Sequence, residues 1–169
     1  AWKRWQNSRR RLSRFAGRLR APGGRARSSL PLFATGPDDA DVIVAFDTVN
    51  PSTVRTFHDV VDRLQGAGAT VTVVDSGDTR LRHSVTGEAR VVAAEDVSAG
   101  AVIGIGHYAA TGSALWRLSR RRNSRFFVLQ HGLLTPFAPP LPHGARLLAW
   151  SSDDAAFWAA DRADARATA

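Results

Sequence analysis

Phe126-Phe127-Val128-Leu129-Gln130-His131-Gly132-Leu133-Leu134-Thr135-Pro136-Phe137-Ala138-Pro139-Pro140 runs four apolar residues straight into Gln-His-Gly and then into a proline-rich loop. An apolar run this short, rich in Phe and Val, reads as a buried strand of a parallel sheet. A strand covered by helices on both faces has no polar side to show. Ligands in such sheets bind just beyond the carboxyl ends of the strands. His131 is therefore expected at the working edge, where its imidazole accepts a proton near neutral pH and Gly132 lets the backbone approach a ligand closely. The plainer reading is a strand end where His131 bonds a nearby backbone carbonyl and Gly132 makes the turn.

Upstream, Asp41-Val42-Ile43-Val44-Ala45-Phe46 predicts a first strand that closes with Asp47. Asn50-Pro51 is a helix start, an Asn cap with proline in the first turn. The helix carries Val54, Phe57, Val60, Val61 and Leu64 on one stripe and ends at Gly66. Ala69-Thr70-Val71-Thr72-Val73-Val74 predicts a second strand closing with Asp75, which completes a right-handed βαβ unit. A short strand is expected within residues 90–94, a helical turn at 95–99 and a strand at 101–105. A helix follows at 111–122, with arginines at its C-terminal end, where the helix dipole favours cations. Further strands are expected at 126–130 and 146–150, before a last helix capped by Ser151 or Ser152. The alternation predicts an α/β, Rossmann-like three-layer domain over residues 40–169, with a mainly parallel sheet.

Charge is unevenly spread over the 169 residues, whose formal net charge is +8. Residues 1–28 hold ten Lys or Arg and no acid; the rest hold 13 basic residues against 15 acids. The globular part is thus near neutral, which argues against a nucleic-acid-binding domain. Residues 1–20 fit a basic amphipathic helix, with Trp2, Trp5, Leu12, Phe15, Ala16 and Leu19 on one side and arginines opposite. Aromatic rings on one face and arginines on the other suit an anionic membrane surface. Residues 21–39, rich in Pro, Gly, Ser and Arg, read as a linker. With no cysteine in the chain, disulfides, zinc-thiolate sites and thiol nucleophiles are excluded. No run of apolar residues approaches the roughly 20 needed to span a bilayer.

The stretch from Val128 to Pro136, with its Pro-rich loop, short strand and Ala149-Trp150-Ser151, resembles the N-terminal half of GT-B-type glycosyltransferase-like proteins. It is similar in particular to the glycerophosphotransferase and polysialyltransferase-like group that builds cell-envelope polymers. Two features differ from that group: Leu133-Leu134 lengthens the HG-to-TP spacing, and no Lys follows Pro136. The resemblance implies His131 as the base that deprotonates an acceptor hydroxyl. It makes Gly132, Thr135 and Pro136 loop-shaping or contact residues, with Gln130 beside them. It also implies that the chain is the acceptor-side half of a two-half enzyme, inactive alone. A nucleotide-activated donor would be held by a missing C-terminal half, and a polysaccharide or polyol-phosphate would be the acceptor. The implied location is cytoplasmic, peripheral at the inner membrane face, with residues 1–20 as the anchor.

Gly104-Ile105-Gly106-His107-Tyr108-Ala109 fits the loose form G-x-G-x-x-A of a dinucleotide fingerprint. It comes late in the chain, and the next strand ends at Gln130 rather than at the acid that would hold a ribose. It reads better as a loop where Gly106, His107 and Tyr108 meet an acceptor sugar or phosphate; the plain reading is a tight turn. Asp47 and Asp75 close strands, where they either contact acceptor hydroxyls or cap the next loop. His58 is expected on the solvated side of its helix. No cluster has metal-ligand spacing, and no cofactor is implied. Two other classes fit the same pattern: a non-catalytic α/β RNA-binding module with a basic arm, and a nucleotide-sugar epimerase-like half.

Overall fold

The computed structural model describes residues 32–77, 85–132, 141–159 and 166–168. The basic segment 1–20, and Thr135 and Pro136, lie outside them. The described residues form an α/β unit around one sheet of eight strands. In chain order these are β1 (Leu32–Thr35), β2 (Asp39–Phe46), α1 (Pro51–Gly66), β3 (Val71–Asp75), β4 (Arg90–Val92), a 3₁₀ turn (Ala94–Asp96), β5 (Ser98–Gly104), α2 (Ala110–Arg122), β6 (Arg125–Leu129), β7 (Ala145–Leu148), α3 (Ser152–Ala159) and β8 (Arg166–Thr168).

Across the sheet the order is β4-β1-β3-β2-β5-β6-β7-β8. The six strands from β3 to β8 pair in parallel, while β1 pairs antiparallel with both β3 and β4. The sheet is therefore mixed but mostly parallel, and it is compatible with a Rossmann-like fold. Numbered by themselves, the parallel strands run 2-1-3-4-5-6, the doubly wound order whose direction reverses between β2 and β5.

The centre is buried on both faces, as the unbroken apolar runs require. On one face Val42, Val44 and Phe46 of β2 meet Phe57 and Val61 of α1, together with Val71, Val73, Ile103 and Leu129. On the other, Ile43 and Ala45 meet Leu115 and Leu118 of α2 and Trp158 of α3, with Val102, Phe126, Val128 and Leu147. Phe57 is wholly buried and packs its ring 4.9 Å from that of Phe46; burying a side chain of this size is worth about 1.5–3 kcal/mol. Helix α1 starts where Asn50 predicts, its Oδ1 accepting from the Ser52 and Thr53 amides at 3.1 and 3.4 Å. Among the described residues no helix is long and apolar enough to cross a membrane.

Three expectations are corrected. Residues 32–35, read as linker, form β1. Arg90 holds its turn: one guanidinium nitrogen donates to the Gly36 carbonyl at 2.6 Å, and the other pairs with Asp38. Beyond the last helix, after which no strand was expected, residues 166–168 form β8 against β7. His58 is half-buried rather than solvated, its ring 5.5 Å from that of Phe46.

Candidate active site at the carboxyl edge

The parallel pairing brings the polar strand ends to one edge: Asp47 after β2, Gly106-His107-Tyr108 after β5, Gln130-His131-Gly132 after β6 and Trp150-Ser151 after β7. Each apolar run pins its strand in the core, so the next residues emerge at the rim. The edge therefore follows from where hydrophobic periodicity stops.

His131 is exposed, and its Nδ1 lies 3.3 Å from the Leu129 carbonyl oxygen. A carbonyl only accepts, so this contact needs the proton on Nδ1. In the neutral ring that leaves the lone pair on Nε2, on the side away from the strand. The bond that the plain reading foresaw thus sets the tautomer a general base needs. Among the described residues, its chain neighbours aside, nothing lies within 4 Å of where a Cβ on Gly132 would stand, and its φ lies outside the left-handed region.

Gln130 does different work from the substrate contact expected of it. It is buried at 2% exposure. Its Oε1 accepts from the Trp150 amide at 2.9 Å and its Nε2 donates to the Gly132 carbonyl at 3.2 Å. The Trp150 indole Nε1 donates back to the Gln130 carbonyl at 2.9 Å. Both polar ends of Gln130 are engaged, so it positions the segment that carries His131. The same bonds fix Trp150 while the residue as a whole stays 55% exposed. Trp150 is the residue that sequence reading passed over as a site residue. Its signal was a tryptophan placed directly after a strand.

Asp47 is likewise turned inward. Helix α2 opens at Ala109 without a side-chain cap of its own. The Asp47 carboxylate, 64 residues earlier, accepts from the Thr111 amide at 3.1 Å and also from the Gly112 amide. A carboxylate at a helix N-terminus satisfies unpaired amides and the dipole together. Gly112 makes room for it: a Cβ there would stand 2.1 Å from the Gly106 carbonyl oxygen and 2.7 Å from Asp47 Oδ2. The place where a dinucleotide fold seats a phosphate is thus filled by the protein's own anion. Asp47 is thus the cap of α2.

Gly106 takes φ +140, a conformation open to glycine, and turns the chain from β5 into α2. The His107 ring packs 4.3 Å from that of Tyr108 and 5.4 Å from that of Trp116. His107 is half-buried against these rings, while Tyr108 is 50% exposed. Asp75 is wholly buried and bonds the Gly77 amide. Of the expected site residues, His131, Gly132 and Tyr108 stand at the open rim. Asp47, Gly106 and Gln130 build it from beneath, with His107 packed between. Among the described residues, no group of three or more His, Asp or Glu gathers as a metal site would.

The chain matches no family model, no curated protein and no solved structure.

Proposed function

We propose that this chain is the acceptor-side half of a transferase. It would move a glycosyl or glycerol-phosphate group from a nucleotide donor to a polysaccharide or polyol-phosphate of the cell envelope. The observation that carries the reading is His131: exposed at the end of β6, with Nδ1 3.3 Å from the Leu129 carbonyl oxygen. In this reading Nε2 takes the proton of an acceptor hydroxyl. The freed oxygen bonds the donor's anomeric carbon or phosphorus, and the nucleotide leaves with the electron pair of the broken bond. The exposed aromatic residues Tyr108 and Trp150, on the strands flanking β6, give apolar surface suited to a sugar ring. The basic segment 1–20 would hold the domain at the inner membrane face.

The test is a nuclear magnetic resonance titration of the ¹⁵N-labelled chain with glycerol 3-phosphate and with monosaccharides. Saturable shifts should cluster at His131, Gly132 and the Trp150 indole. Shifts scattered over the surface, or confined elsewhere, would refute the reading.

A further inference from the structure

A cleft of about 690 Å³ opens at the opposite, amino edge of the sheet. It lies where α2 ends and where β6 and β7 begin, and is lined by Arg120, Asn123, Arg125, His143 and Arg146 among others. Among the described residues no Asp or Glu contributes to its wall. Residues 97–152 carry six arginines and no acid at all, inside a domain that is otherwise close to neutral. Arg122 is committed elsewhere: it donates to the Val97 and Glu95 carbonyls at 2.9 and 2.6 Å. Arg120, Arg125 and Arg146 make no ion pair or hydrogen bond among the described residues.

A helix dipole accounts for arginines in the last turn of α2. It does not account for Arg125 and Arg146, which stand at the starts of two strands. The register pairs Phe127 with Arg146. Side chains alternate along a strand, so Arg125, two residues before Phe127, shares a sheet face with Arg146; it is the face of Phe127 that α1 covers, so the two line the cleft from the side of the amino edge opposite α2. Arg120 approaches from α2, its Nη1 2.9 Å from where a Cβ on Gly144 would stand. The serine hydroxyl protons nearby are already used, Ser119 donating to the Trp116 carbonyl at 2.8 Å and Ser124 to the Ala99 carbonyl at 2.6 Å. The side-chain donors left to a ligand are therefore guanidinium groups, the Asn123 amide and the His143 imidazole. Guanidinium forks match phosphate oxygens two at a time. The volume falls within the roughly 300–1,000 Å³ of small-molecule sites, far more than one phosphate ion fills.

We propose that this cleft binds the phosphate groups of a small phosphorylated molecule of about mononucleotide size. The site is separate from the carboxyl edge and does not depend on the role of His131. The experiment is calorimetric titration of the whole chain with pyrophosphate and with uridine monophosphate, at low and physiological salt. Each of Arg120→Gln and Arg146→Gln should weaken binding about tenfold, because a hydrogen bond to a charged group is lost in each. Arg120→Lys, which keeps the charge but loses the fork, should still weaken it several-fold. Arg117→Gln, an exposed arginine of α2 outside the cleft, should leave affinity unchanged. Vesicles containing phosphatidylglycerol form a second arm that separates a lipid headgroup from a free ligand; the cleft variants should bind them as the parent chain does. The proposal falls if pyrophosphate and uridine monophosphate show no saturable binding, or if Arg117→Gln weakens binding as much as Arg120→Gln. It also falls if Arg120→Lys keeps full affinity, or if the cleft variants lose vesicle binding alone.

Discussion

Replacing Asp47 with alanine should both destabilise the protein and create an anion site. The carboxylate holds the Thr111 and Gly112 amides at the start of α2, and nothing local replaces it, because Ala109 offers no side-chain acceptor. Losing a helix cap costs about 1–2 kcal/mol, and leaving part-buried amides unpaired adds to it. Asp47 is half-exposed, so water recovers some of the loss. The net expectation is about 2–3 kcal/mol, or roughly 5–10 °C in melting temperature for a chain of this size. Asp47→Asn keeps one acceptor oxygen but turns an NH₂ toward the second amide, so it should lose about half as much. The vacated N-terminus then has free amides and a positive dipole end, so sulfate should rescue Asp47→Ala. At a hundredfold excess over its dissociation constant a ligand returns about 2.7 kcal/mol. Thermal melts of parent and variant across a sulfate series read both effects, the parent correcting for sulfate bound elsewhere. A variant that melts within about 2 °C of the parent would refute the cap as a stabilising element. A variant that loses stability but gains nothing extra from sulfate would refute the anion-site argument.

Gly112→Ala should destabilise by about 1–3 kcal/mol in chemical denaturation, reversing the usual gain of alanine in a helix, because its Cβ meets the Gly106 carbonyl. His131→Ala should remain folded by circular dichroism and, under the proposed transferase reading, lose about 10²–10⁴-fold in turnover. Trp150→Ala should abolish the sugar-induced shifts at the β6 end, whereas Trp150→Phe, which keeps a ring, should retain part of them in the same titration. Two bonds from Thr70 hold the Asp41 carboxyl below its ordinary value of 3.8, the backbone amide first and the hydroxyl second. A depressed carboxyl contributes stability that is present above its unfolded value and lost as pH falls through the folded one. Denaturation midpoints of Asp41→Asn should therefore lose part of the parent's decline below about pH 4.

The elements legible in the sequence were those whose signals are local. The β2–α1–β3 unit, Asp39 to Asp75, carries apolar runs, an Asn-Pro start and a glycine stop, and it stands close to where these put it. The strand before Gln130 was equally plain. The strand at 32–35 was hidden because four residues between Pro31 and Gly36 are too few to show a period, and antiparallel partners 38 and more residues away decide their state. Site residues divide in the same way. His131 was found from its place after a strand. The engagement of Asp47 with α2 and of Gln130 with Trp150 depends on contacts 64 and 20 residues apart, which no spacing rule reveals. A carboxylate or amide at a strand end looks the same in sequence whether it faces a ligand or its own backbone.

The lengths of the strands taper from the middle of the sheet to its rims. The central β2 and β5 have eight and seven residues, whereas β4 and β8 at the two rims have three each. An exposed rim is a template on which a second chain can add a strand, and short rims limit that risk. Among the described residues, an incoming strand would find three residues to pair with on either side, each rim opening on an arginine. Such a sheet resists growing by lateral addition, so crowding many copies together should not propagate it into fibres. The long, sticky strands that make the fold stable are the ones no other molecule can reach.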